Sequence, residues 1–383
     1  MDKMAKSSTV KLKRQNKDIG AGEFIRFPKK IPFTQKERIV FYGLVKFPEL
    51  NDQKLSKKLK IKRSTVTAIR NKLKRRNFYF PRVIPNFKLL ECELMTFIWG
   101  KLSYPAPLEE KRKMPVIKNA MQSPEAVFQI ITDDEFFSLL IFKNFTEFKK
   151  MEDKFAHVYK KYSSKERNVN IVHFPLETSE IFSLFDYSLC LKDLLKLKHE
   201  DKKTATKPKT SKAVPSIELK EREKVVLGIL VKYPELNDAE IAKKSGITRQ
   251  TVSKIKSRLI KKGVIKLINE PNFKKISCEL FVAVHTKFNP QIEPNKRKLL
   301  LEKPKSKCPT IIDVESNAEE VCGSFFEDYL SFKMTQDDLG KVYRQKDLLL
   351  RESVTQIIPM QQIKFYRTDF VPIIEKTLNI KIP

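Results

Sequence analysis

The sequence predicts an α+β fold in two similar halves, each opening with short helices and continuing as a β-α-β-β-α-β unit. Three observations carry this: a gapless internal repeat, apolar residues at helical spacing early in each repeat, and short apolar strand-like runs later in each. The stretch from Leu44, LVKFPELND, returns from Leu230 as LVKYPELND, an offset of 186 positions. That offset holds without a gap from Glu37 and Glu223 through Asn86-Phe87 and Asn272-Phe273 to Cys92-Glu93-Leu94 and Cys278-Glu279-Leu280. A match of this length and register predicts a tandem duplication.

The first elements of each half read as a helix-turn-helix. In the second half, Asn237 or Asp238 can cap the first helix, and Ile241 and Ala242 face inward. Gly246 supplies a left-handed turn, and Thr248 caps the second helix. Val252, Ile255 and Leu259 recur at i, i+3 and i+7 as its buried stripe. Thr248, Arg249, Gln250, Ser253, Lys254 and Ser257 are then left at its start and outer face, with Lys261 and Lys262 at its far end. Arg and Gln suit bidentate contacts with guanine and adenine edges; Lys and Ser reach phosphates or bases.

The first half keeps the apolar frame at Leu55, Ile61, Val66, Ile69 and Leu73. Ser56 replaces the alanine, Lys60 the turn glycine and Lys62 the capping threonine. A left-handed lysine costs about 1 kcal/mol, which predicts a looser turn. Arg63, Ser64, Thr67, Ala68 and Asn71 are expected to face a groove, and Arg70, Lys72, Lys74, Arg75 and Arg76 a phosphate backbone. Charge is denser here: residues 52–76 hold eleven Lys and Arg against one acid, and residues 238–262 hold eight against two. Phe78-Tyr79-Phe80 and Val264-Ile265-Lys266-Leu267 follow as short wing strands.

The later elements correspond more loosely. Strands are expected at 94–102, 127–131, 136–142 and 169–174, and at 280–288, 321–325, 328–334 and 354–359. Helices are expected near 108–121 and 294–303. A second helix in each half carries Phe148, Met151, Phe155, Tyr159 and Tyr162, or Leu339, Val342, Tyr343 and Leu350, on one face. The order β-α-β-β-α-β is that of a ferredoxin-like αβ-sandwich. The expected organisation is a basic disordered arm (1–30), winged helix-turn-helix (31–87), ferredoxin-like domain (88–197), flexible linker (198–216), winged helix-turn-helix (217–273) and ferredoxin-like domain (274–383). The linker's Lys, Thr, Ser and Pro cannot bury a core.

Composition narrows the partners. With 77 Lys and Arg against 46 Asp and Glu, the 383-residue chain carries +31, a field that draws in a polyanion. No apolar run approaches the roughly 18 residues of a spanning helix and no signal peptide is recognisable, so a cytoplasmic protein without a membrane partner is expected. Cys92, Cys190, Cys278, Cys308 and Cys322 lie far apart with no C-x-x-C pair and read as small buried groups, with no metal site and no cofactor indicated. No phosphate-cradling loop, H-E-x-x-H or nucleophile elbow occurs, so no enzyme is expected.

The run from Glu240 through Ala242, Gly246 and Thr248 to Leu259 and Gly263-Val264-Ile265, with the Asn272-Phe273 turn leading into an αβ-sandwich, resembles the Lrp/AsnC family of feast-famine regulators. An archaeal member is expected. The resemblance implies a winged helix-turn-helix joined to a sensor domain that pairs sheets in dimers and often binds an amino acid at that interface. The family's sensor turn carries Gly and Asp. Here the stretches are Thr132-Asp133-Asp134-Glu135-Phe136 and Phe325-Phe326-Glu327-Asp328, without the glycine. Asp134 and Asp328 therefore read as turn residues, and an effector stays open.

The sequence thus predicts a sequence-specific double-stranded-DNA-binding regulator with two reading heads in one chain, able to self-associate through its ferredoxin-like domains. Three alternatives remain. One is an architectural protein that coats DNA, and another is a plasmid replication initiator. The third is an enzyme like the siroheme decarboxylases, against which the scattered placement of His157, His173, His199 and His285 speaks.

Overall fold

The computed structural model describes residues 33–101, 122–162, 168–197 and 217–383. The expected arm at 1–30, the helix near 108–121 and the linker at 198–216 lie outside them, as do the side chains of Tyr159 and Tyr162.

The first half begins with helices α1 (Gln35–Lys46), α2 (Asp52–Leu59) and α3 (Arg63–Arg75), then strand β1 (Tyr79–Pro85). Strands β2 (Leu94–Lys101), β3 (Ala126–Ile131) and β4 (Glu135–Phe142), helix α4 (Phe145–Tyr162), strands β5 (Asn168–Pro175) and β6 (Glu180–Leu184), and helix α5 (Ser188–Leu194) follow. The second half repeats the opening at the same offset as α6 (Glu221–Lys232), α7 (Asp238–Ser245), α8 (Arg249–Lys261) and β7 (Ile265–Pro271). It continues as β8 (Leu280–Lys287), α9 (Pro294–Lys305), β9 (Thr310–Glu315), β10 (Glu319–Phe326), α10 (Tyr329–Gln345), β11 (Val354–Pro359), β12 (Phe365–Thr368) and α11 (Val371–Leu378).

From β8 to β11 the order is β-α-β-β-α-β. Two five-stranded antiparallel sheets form, ordered β12-β3-β4-β2-β5 and β11-β8-β10-β9-β6. Each therefore takes one edge strand from the other half. Phe365 pairs with Ile131 in the first sheet and Glu180 with Glu315 in the second. The segments after β5 and after β11 cross reciprocally, so the expected units 88–197 and 274–383 share strands. The sheets meet through buried aromatic residues. Phe281 lies 5.8 Å from Phe128 and 5.1 Å from Phe137 by ring centroid.

Two expectations in the second half are corrected. Residues 328–334 are not a strand; α10 starts there, capped by Asp328, whose Oδ1 accepts from the Ser331 amide at 2.8 Å. Leu350 lies beyond the end of α10 and is exposed. The second strand of this half is instead β9. Its Asp313 and Glu315 disguise an apolar alternation because both acids are buried, with Arg297 2.7 Å and Lys305 3.2 Å from Glu315. Buried carboxylates need such partners.

The strands expected as wings pair with each other. β1 and β7 form a two-stranded antiparallel ribbon, Tyr79 opposite Pro271 and Pro85 opposite Ile265. Four cysteines are buried and Cys322 partly so, all unpaired.

Candidate nucleic-acid interface

Each helix-turn-helix is built from local signals. Asn51 Oδ1 caps α2 by accepting from the Lys54 amide at 2.9 Å. Asn237, rather than Asp238, caps α7, accepting from Ala239 and Glu240 amides at 2.9 and 3.1 Å while the Glu240 carboxylate returns to the Asn237 amide. The capping box is reciprocal only in the second half, because Lys54 occupies the position of Glu240.

The turns prove alike, contrary to the looser turn expected of the first half. Lys60 adopts φ 56° and ψ 37°, beside φ 68° and ψ 16° at Gly246. The strained lysine is held by the Ile61 amide donating to the Ser56 carbonyl at 3.1 Å and by burial of Leu55 beneath it. Thr248 Oγ1 accepts from the Thr251 amide at 3.3 Å, whereas Lys62 leaves α3 without a side-chain cap. Val66, Ile69 and Leu73, like Val252, Ile255 and Leu259, are buried.

The outer faces follow from those stripes. Lys62, Arg63, Ser64, Ala68, Asn71, Lys74, Arg75 and Arg76 are exposed on the first helix and its ends. Thr248, Arg249, Gln250, Ser253, Lys254, Ser257, Lys261 and Lys262 are exposed on the second.

Three cations and a hydroxyl expected to be free for a ligand are engaged within the fold. Thr67 Oγ1 donates to Asp52 at 2.6 Å, and Arg70 reaches the same carboxylate at 2.6 Å and the Leu50 carbonyl at 3.0 Å. Lys72 pairs with buried Glu37, and Lys74 lies 3.4 Å from Glu235 of the other half. The pairs of Arg70 and Lys72 repeat in the second half as Lys256 with Asp238, 3.3 Å apart, and Arg258 with Glu223. Burial alone would raise the Glu37 carboxyl, yet hydrogen bonds from Lys72 and Thr34 hold it below the ordinary carboxylate range. These ion pairs brace each recognition helix against the two helices before it.

Sequence reasoning missed the joint between the halves. Glu270 of β7 is almost fully buried and takes hydrogen bonds from Arg82 Nε at 2.9 Å, Tyr366 Oη at 2.7 Å and Thr368 Oγ1 at 2.7 Å. The repeat position in the first half is Ile84, so a lone carboxylate inside an apolar strand was the signal.

A cavity of about 290 Å³ opens between β5 and the β8–β10 pair, lined among others by Asn170, His173, His285, Lys287, Glu319 and Arg351. Two histidines read as scattered thus meet in one place. His285 Nε2 lies 2.9 Å from Glu319, and burial lowers the His173 pKa.

Residues 215–287, covering the second helix-turn-helix and β8, match the family model of the sugar-specific transcriptional regulator TrmB, so this head has the sequence character of a transcription regulator. No curated protein matches the chain. Among solved structures, the siroheme decarboxylase NirDL is similar at 11% identity over 90% of this chain and 99% of that chain, with a TM-score of 0.49. An AsnC family transcriptional regulator from Agrobacterium tumefaciens is similar at 12% identity over 37% of this chain and 90% of that one, TM-score 0.30. A transcriptional regulatory protein of the AsnC family from Pyrococcus furiosus is similar at 19% identity over 38% and 89%, TM-score 0.27. Among the described residues, no helix is long and apolar enough to cross a membrane.

Proposed function

We propose that this chain is a sequence-specific double-stranded-DNA-binding transcription regulator, a tandem duplication whose two helix-turn-helix units act as reading heads on a pair of ferredoxin-like sandwiches. The observation that carries the reading is the pair of recognition helices, each with its apolar stripe buried and its Arg, Lys, Ser, Asn or Gln face exposed, in a chain of net charge +31. Arg249 and Gln250 stand at the start of α8, where a recognition helix meets base edges. Arg63 and Ser64 take the same place on α3. Because the two faces differ, the favoured site has unlike half-sites.

Selection of bound duplexes from random DNA tests this, followed by titration of the selected and scrambled sequences at one salt concentration. A regulator prefers its site by about a thousandfold or more. Equal binding of both duplexes leaves an architectural DNA-coating protein, and a perfect palindrome as the preferred site contradicts unlike heads.

The cavity supports a second reading, a chain that holds a small anion between its sheets. Lys287 and Arg351 supply positive charge, set against the one lining carboxylate, Glu319, which holds His285 Nε2 at 2.9 Å and lies 4.0 Å from Lys287. Its size lies at the low end of small-molecule sites, roughly 300–1,000 Å³, which suits a small anion better than a tetrapyrrole. Absorbance titration with a tetrapyrrole separates the two. A spectral shift lost in His173→Ala favours the decarboxylase-like enzyme.

A further inference from the structure

We infer that the two recognition helices form one rigid reader, so that the partner is a duplex whose two sub-sites stand at a single fixed spacing. This rests on the two-head reading above. Two helix-turn-helix units joined only by a linker adapt to several spacings, since a chain of Lys, Thr, Ser and Pro sets no orientation. Here the two halves are coupled by contacts among the described residues.

Each recognition helix ends in a left-handed residue, Asn77 with φ 53° and Gly263 with φ 70°. The carbonyl of each is taken by an asparagine of the opposite half. Asn86 Nδ2 donates to Gly263 at 3.2 Å, and Asn272 Nδ2 donates to Asn77 at 3.0 Å. The same asparagines use their backbone amides on the next residue, Asn86 on Val264 and Asn272 on Phe78, both at 2.8 Å. Between these clips runs the β1–β7 ribbon, paired along its whole length.

Further cross-half contacts add to the lock. Lys275 donates to the Arg76 carbonyl at the end of α3, and Asn269 Nδ2 donates to Leu44 of α1 at 2.8 Å. Lys74 of α3 faces Glu235. The far ends of both reading helices are therefore fastened to the half they do not belong to. Rotating one head against the other breaks the ribbon and both clips together.

The test is a spacer series on the selected duplex, read by fluorescence anisotropy. Inserting one or two base pairs between sub-sites is expected to weaken binding at least tenfold. About five base pairs, half a turn, should reduce it to the affinity of one sub-site, and about ten, a full turn, should not restore it. The double variant Asn86→Ala with Asn272→Ala, which removes both side-chain clips and leaves the ribbon, should lessen the penalty of one or two inserted base pairs while leaving binding to a single sub-site unchanged. Tolerance of all spacings by the unaltered chain overturns the inference.

An independent readout needs no DNA. Spin labels at Lys57→Cys and Lys243→Cys, exposed equivalents in the two halves, should give one narrow distance distribution, broadened in the double variant. A broad distribution in the parent overturns the rigid reader whatever the DNA result. A narrow one, with no sequence preferred over scrambled DNA, overturns only the two-head reading.

Discussion

Arg82 Nε lies 2.9 Å from Glu270 Oε2 across the β1–β7 ribbon, joining the last strand of the first helix-turn-helix to that of the second. Because Glu270 also receives Tyr366 and Thr368 from β12, one carboxylate ties the paired heads to the sheet of the first half. Removing Arg82 leaves the buried Glu270 carboxylate with its two hydroxyl donors but no counterion, at a cost of about 1–3 kcal/mol, below that of a fully buried pair because Arg82 itself is 36% exposed. Urea unfolding of Arg82→Ala should show a loss of that size at neutral pH. Adding Glu270→Gln should recover part of it, because the hydroxyl partners stay and the charge goes. Additive losses in the double variant would show that the two residues do not act on each other.

Lys60 carries a left-handed backbone that a glycine adopts freely in the other half. Lys60→Gly should therefore raise the stability of the first head by about 1 kcal/mol, less the entropy that glycine returns to the unfolded chain. Thermal unfolding reads this. A lower midpoint would mean that the lysine side chain itself stabilises the turn.

Acid should loosen the molecule at specific places. Burial works to raise the carboxyls of Glu37 and Glu125, but Lys72 with Thr34, and Lys376 with Ser123, hold both below their ordinary value. A depressed folded pKa gives stability that is present above the unfolded value, about 4.3, and lost as pH falls through the folded one. The unfolding midpoint should therefore hold at neutral pH and fall below about pH 4.3. Glu37→Gln should lower the neutral-pH stability and blunt the acid loss. An unchanged pH profile in that variant would remove Glu37 from the account.

What was legible in the sequence follows from what repeats. The helices of both heads lie where the apolar spacing and the constant offset put them, since buried residues such as Val66 and Val252 leave no alternative period. β9 was not legible because Asp313 and Glu315 look like surface residues until Arg297 and Lys305 are seen beside them. The exchange of β6 and β12 was equally hidden, for strand pairing across halves leaves no local pattern. On the candidate face, exposure followed from periodicity, but the engagement of Thr67 and Arg70 by Asp52 depends on how α2 crosses α3, which spacing does not specify.

That engagement makes Arg70 a discriminating residue. Bound to Asp52 and the Leu50 carbonyl, it should act on the packing of α2 against α3 rather than on phosphate. Arg70→Ala is expected to lower stability by about 1 kcal/mol, the scale of a partly exposed pair, with the salt slope of DNA binding unchanged. A slope reduced by about one unit would place Arg70 on the backbone of DNA after all.

The exposed faces should separate into residues that read and residues that attract. Arg249 and Gln250 lie at the start of α8 with their side chains exposed, so Arg249→Ala or Gln250→Ala should cost roughly 1–3 kcal/mol on the selected site and relax preference at one or two base pairs. Lys261 and Lys262 lie at the far end of that helix, and Arg75 and Arg76 occupy the matching place on α3. These ends are also where the asparagine clips hold the helices to the opposite half, so on the proposed reading these four residues are expected to meet the sugar-phosphate backbone rather than base edges. Replacing any of the four by alanine should weaken all sequences about equally and reduce the salt slope by about one unit for each phosphate no longer neutralised. Both classes are titrated on selected and scrambled duplexes across a range of salt. Equal, purely salt-dependent losses in the two classes would remove base reading from α8 and leave a chain that binds DNA by charge alone.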